Sequence, residues 1–147
     1  MTKTVICFWG AGNIGKTESV RALWEKLDTS HKPPLHEINR DICATVDFEG
    51  IRVGISSLGD PDSGQEMWLD ELVGKECDII VCASRTKGRT VRAVEERAAA
   101  NGYALIWLSP LSSSKKTNDF FTMLNDTTAE AVEKLIVELI NFKDSES

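Results

Sequence analysis

Eight consecutive residues, Gly10-Ala11-Gly12-Asn13-Ile14-Gly15-Lys16-Thr17, constrain this chain more than any other stretch, because they join two patterns of different period. Before them, Thr4-Val5-Ile6-Cys7-Phe8-Trp9 is an almost continuous apolar run, as in a strand buried on both faces of a parallel sheet. After them, Val20, Leu23, Trp24 and Leu27 recur at i, i+3, i+4 and i+7, the apolar stripe of a helix. Glycines in such a junction let the backbone wrap an anion with its N–H groups turned inward, and the helix N-terminus adds the positive end of its dipole. Lys16 is then placed to neutralise phosphate charge. The Thr17 hydroxyl suits Mg²⁺, which keeps several waters and takes few protein ligands.

The rest of the chain reads as more of the same architecture. His31-Lys32-Pro33-Pro34 is a stiff connector, since each proline fixes its own φ and restricts the residue before it. Residues 42–49 and 51–57 are two strand patterns separated by Gly50, too close for anything but an antiparallel hairpin. Residues 58–64 form a loop rich in turn formers, and Ser63 with Glu66 has capping-box spacing for a helix through Trp68, Leu69, Leu72 and Val73 that Gly74 ends. A buried strand follows at 78–83, then a basic loop, a helix through Val91, Val94 and Ala98 stopped by Gly102, and a last strand at 103–108. Residues 109–126 read as a surface loop with one turn at Phe120-Phe121. Thr127 and Glu130 then cap a closing helix carrying Val132, Leu135, Ile136, Leu139 and Ile140. The expected fold is a three-layer α/β sandwich of about five mostly parallel strands, with residues 42–49 as one antiparallel edge strand and helices on both faces.

Length and charge set the outer bounds. A chain of 147 residues supports one domain, 1–147, with a sizeable core. Its net charge of -6 argues against neutralising a nucleic-acid backbone as the main task. No apolar run approaches the ~20 residues that cross a bilayer, so no membrane partner is expected. Cys7, Cys43, Cys77 and Cys82 lie in or beside apolar runs without C-x-x-C spacing, which reads as core thiols rather than a metal or redox site. With no secretory pattern at the start, these thiols point to a cytoplasmic setting. His31 and His36 lack the spacing of a metal pair, and the four tryptophans are assigned to packing. No feature specifies an oligomeric state.

Two chemistries share the glycines. The octamer satisfies G-x-x-x-x-G-K-[ST], and it also contains G-x-G-x-x-G, the turn of a dinucleotide-binding unit that would take NAD(P) or FAD. The second reading needs a parallel strand soon after the first helix, where two prolines stand, and it has no use for Lys16-Thr17.

On residues 10–17 and the order strand, loop, helix, hairpin, strand, helix, the chain resembles the P-loop nucleoside triphosphate hydrolase superfamily. The resemblance implies an ATP·Mg²⁺ site formed by Gly10, Ala11, Gly12, Asn13, Ile14, Gly15, Lys16 and Thr17. Guanine specificity by N-K-x-D is not implied, since Ser109-Pro110-Leu111-Ser112 follows the last strand. The strand facing the loop ends in Ser56-Ser57 rather than an aspartate, so Asp60 is the nearest downstream acid for the metal. Ser84-Arg85-Thr86-Lys87-Gly88-Arg89-Thr90 lies beyond a strand's carboxyl end, where open α/β sheets bind ligands. Small P-loop kinases use such residues, so Lys16, Arg85 and Arg89 are the expected catalytic groups of an NTPase or kinase-like enzyme, with a small phosphorylated or hydroxyl acceptor as partner. The alternative on the same site is a nucleotide-dependent switch with little turnover, in which residues 58–64 order around the γ-phosphate and present Trp68 to a partner.

Overall fold

A computed structural model describes residues 1–12, 15–115 and 117–142, and the expected loop residues Asn13 and Ile14 lie outside this set. The elements run β1 (Thr4–Trp9), α1 (Lys16–Leu27), β2 (His36–Ile38), β3 (Asp41–Phe48), β4 (Ile51–Ser56), α2 (Gln65–Gly74), β5 (Ile79–Ser84), α3 (Arg89–Ala100), β6 (Ala104–Leu108) and α4 (Asn118–Asn141). The six strands form one mixed sheet in the order β2-β3-β4-β5-β1-β6. β4, β5, β1 and β6 are mutually parallel, whereas β3 is antiparallel to both β2 and β4.

Alternation along the buried strands divides the core in two. Ile6, Phe8, Val53, Ile55 and Val81 face Val20, Leu23 and Leu27 of α1 and Val132 and Ile136 of α4. Val5, Cys7, Ile80 and Cys82 face Leu69 and Leu72 of α2 and Val94 and Ala98 of α3. Period-2 strands apolar on both sides therefore recruit a helix pair on each face.

The architecture corrects the expected sheet in two respects. Among the described residues there are six strands rather than about five, and the antiparallel strand is not the edge, because the short β2 pairs outside it. Pro33 and Pro34 still exclude a strand where they stand, but His36–Ile38 lies just beyond them, its three residues exposed. The hairpin between β3 and β4 turns through Glu49 and Gly50, both at positive φ (48° and 87°), the type I′ conformation that matches strand twist. A dinucleotide-binding sheet would place its second strand beside β1, whereas here β1 lies between β5 and β6.

Two helix starts also differ from expectation. Ser63 does not cap α2: its Oγ donates to the Asp60 carbonyl at 2.6 Å, and the left-handed Gly64 precedes the helix instead. α4 begins at Asn118, so much of the expected loop is helical and Thr127 lies within the helix, its Oγ1 donating to the Met123 carbonyl. Phe121, Leu124, Thr128 and Val132 continue the stripe of the closing helix backward at spacings of three and four, and α4 packs along α1 through it. All four cysteines are buried and free, as expected. Burial pushes the Cys43 thiol up to about 12 and Cys77 to about 11.

Candidate functional site

The β1–α1 loop opens where the sheet's connections diverge, since α1 leaves β1 on one face while α3 passes on the other to reach β6. Crevices at such carboxyl ends are where open α/β sheets bind ligands. A cavity of about 360 Å³ lies there, lined by Gly12, Gly15, Lys16, Thr17, Asp41 and Asp60 among others. Gly15 is left-handed (φ 89°) at the start of α1, a conformation that favours glycine, and among the described residues no side chain caps this helix end.

Lys16 is buried, and its ammonium donates to the carbonyls of Gly10 at 2.5 Å and Ser84 at 2.8 Å. It thus bridges the carboxyl ends of β1 and β5. Desolvation holds its pKa below the ordinary lysine value; nearby Asp60 opposes the shift and Arg85 adds to it. A cation with this little water around it gains more than an exposed lysine from a phosphate that replaces the lost solvent.

Thr17 and Asp41 meet across the cavity floor. One Asp41 oxygen, Oδ1, accepts from Thr17 Oγ1 at 3.2 Å and from Ser57 Oγ at 2.7 Å. Ser57 Oγ also accepts the Ile42 N–H at 2.9 Å, and the Ser57 N–H donates to the Ile42 carbonyl at 3.0 Å. Asp41 was not among the residues expected from sequence. It is 24 positions from Thr17 and 16 from Ser57; the pairing of β3 with β4 brings it to Ser57, and the packing of α1 on the sheet brings Thr17 to both.

Asp60 lines the same cavity, but its Oδ1 accepts from Arg85 Nε at 2.8 Å. The guanidinium lies over the glycine loop so closely that a Cβ on Gly12 would stand 3.0 Å from Arg85 Nη2. Arg89 is farther out, paired with Asp62 at 3.1 Å beside a smaller neighbouring hollow of about 160 Å³. Of the expected catalytic trio, Lys16 and Arg85 therefore converge on the glycine loop and Arg89 does not. Lys87 is exposed.

The aromatic residues divide differently from expectation. Trp68 is buried rather than presented, stacked at 5.7 Å on His36, whose Nε2 lies 2.7 Å from Glu71 Oε1. Trp9 and Trp107 are more than a third exposed, and Trp9 Nε1 donates to the Thr86 carbonyl, tying β1 to the basic loop. Among the described residues no cluster of three or more His, Cys, Asp or Glu side chains could hold a metal, and no helix is long and apolar enough to cross a membrane.

Models of known protein families, curated proteins and solved structures give no match to this chain.

Proposed function

We propose that this protein binds the phosphates of ATP in the loop of residues 10–17 and works as an NTPase or kinase-like phosphoryl transferase. The observation that carries the reading is the buried Lys16 ammonium at the mouth of a cavity lined by Gly12, Gly15 and Thr17. The first N–H groups of α1 have no intrahelical partners and Lys16 already lines the cavity, so a phosphate entering it meets donors at hand. Lys16 would exchange one of its two carbonyl partners for a phosphate oxygen. Arg85 would turn from Asp60 toward charge that develops on the transferred group, a role whose magnitude reaches about 10³–10⁵ in rate where an arginine supplies it. Arg89 would meet the acceptor beyond this first circle.

The donors of the site fit Mg²⁺. Hydroxyl and carboxylate oxygens line the cavity beside Thr17, a set that suits a hard cation keeping most of its water. Thr17 is the residue that would hold it. Bound there, Mg²⁺ would neutralise charge on the phosphates. The position of β1 between β5 and β6 favours this reading over a dinucleotide.

A thermal-shift panel of nucleotides decides it. ATP or ADP with Mg²⁺ at a hundred times the dissociation constant should stabilise the protein by about 2.7 kcal/mol. For a domain of this size that is on the order of 5–10 °C. Lys16→Ala should abolish the shift. Binding without phosphate release or transfer to any acceptor would leave the nucleotide site standing and remove the enzyme.

A further inference from the structure

We propose that Asp41, the first residue of β3, is the carboxylate that orients a divalent cation at this site, with the hydroxyls of Thr17 and Ser57 as its partners. The proposal rests on the phosphate-loop reading above and departs from the sequence expectation, which gave that task to Asp60.

Topology supplies the reason. Parallel strands bring only their last residues to the ligand edge, and β4 ends there in serines, not an acid. β3 is antiparallel to β4, with Cys43 opposite Ser56, so its first residue stands at the edge where β4 finishes. An acid missing from the end of one strand is supplied from the start of its neighbour. Ser57 secures the substitution: its hydroxyl donates to Asp41 Oδ1 while accepting the Ile42 N–H.

The hydrogen-bond directions suit a cation. Thr17 and Ser57 both donate to the same carboxylate oxygen, which commits their protons to Asp41 and leaves lone pairs on Thr17, and one on Ser57 beside the Ile42 N–H, for a metal or its waters. Among the described residues no donor reaches Asp41 Oδ2, so the carboxylate retains an oxygen for the cation shell.

The turn before the carboxylate is also held. Arg40, beside it, makes two hydrogen bonds to Glu18 at 2.9 and 2.7 Å, and Arg21 Nη1 donates to the Arg40 carbonyl at 3.0 Å. These contacts tie the β2–β3 turn, which leads into Asp41, to α1. Asp60 has the opposite character: its side chain is 63% exposed and is paired with Arg85, a partner that competes with a cation for the same charge.

Calorimetric titration of the full chain with ADP, in EDTA and then in Mg²⁺, separates the roles. The wild type should bind ADP in EDTA and at least tenfold more tightly with Mg²⁺. Asp41→Asn should retain the affinity in EDTA and lose most of the metal-dependent gain, whereas Asp60→Asn should keep it. With Mn²⁺ replacing Mg²⁺, the electron paramagnetic spectrum of the ADP complex should change in Asp41→Asn and not in Asp60→Asn. A wild-type gain in Asp41→Asn, or its loss in Asp60→Asn, overturns the assignment. Equal wild-type affinity in both buffers removes the cation site and leaves the phosphate loop; no binding in either buffer removes both. If Asp41→Asn does not fold, Ser57→Ala carries the same readout: a reduced gain supports the proposal and an unchanged one overturns it.

Discussion

Gly12 and Gly59 are both sites of close approach, but a methyl group would meet different kinds of neighbour at the two. At Gly12 the contact is the far end of Arg85, a flexible side chain that can withdraw. At Gly59 a Cβ would stand 2.9 Å from Ala83 Cβ and 3.0 Å from the Ala83 carbonyl carbon, in the backbone of β5 at the centre of the sheet. The first substitution displaces a side chain, while the second forces apart two packed segments. Gly59→Ala should therefore cost about 1–3 kcal/mol in chemical denaturation, as overpacking does. Gly12→Ala should change stability by less than about 0.5 kcal/mol, the usual range away from packed features, and show its effect in nucleotide affinity through Arg85. Equal costs at the two positions would mean that Arg85 is as immovable as the β5 backbone.

At the scale of elements, Ile42 and Val46 of β3 share the buried core with Val20 and Leu23 of α1, but the β2–β3 turn itself is tied to α1 by charge, and this makes the turn's attachment sensitive to acid. The hydrogen bonds from Arg40 hold the Glu18 carboxyl below the ordinary glutamate range, outweighing a smaller opposite effect of burial. For a lowered acid the stabilisation is complete above the unfolded value and is lost as pH falls through the folded one. Glu18 should accordingly titrate below 4.5 by carboxyl NMR, and Arg40→Ala should return it toward that value. Arg40 is largely exposed and Glu18 nearly half so, and the change in global stability should stay within about 1 kcal/mol. Local sequence revealed the elements whose signals are local. β1, α1 and β5 declared themselves by apolar period, and the β3–β4 hairpin by Gly50 between two strand patterns. β2 was hidden because three exposed residues after two prolines become a strand only by pairing with β3. The opening turns of α4 were masked by Asn118, Asp119, Asn125 and Asp126, polar residues that read as loop although Phe121 and Leu124 keep the helical period. The candidate site divides the same way: Lys16 and Thr17 were legible in a contiguous motif, and Asp41 was not, because its place depends on a strand pairing that no spacing encodes.

For the whole molecule, Lys16 ties folding to ligand binding through one proton. Two carbonyls hold its ammonium, and burial, outweighing the opposite effect of Asp60, keeps the folded-state pKa below 10.5. Between the lowered value and 10.5 the unfolded chain binds this proton more often than the folded one, so the group's contribution makes stability rise with pH across that window. The cost of the buried charge is present in full at lower pH and is relieved as the folded state loses its proton first. Lys16→Met keeps the length of the side chain without the charge and should flatten this part of the stability–pH curve. A phosphate in the loop acts in the opposite direction, since its negative charge raises the Lys16 pKa. Nucleotide binding in the window should therefore take up protons, read by calorimetry in buffers of different ionisation enthalpy. Lys16→Met should abolish the uptake even where saturating nucleotide restores some binding. A wild-type slope of stability against pH in that variant would assign the titration to another group and detach the buried ammonium from both folding and phosphate recognition.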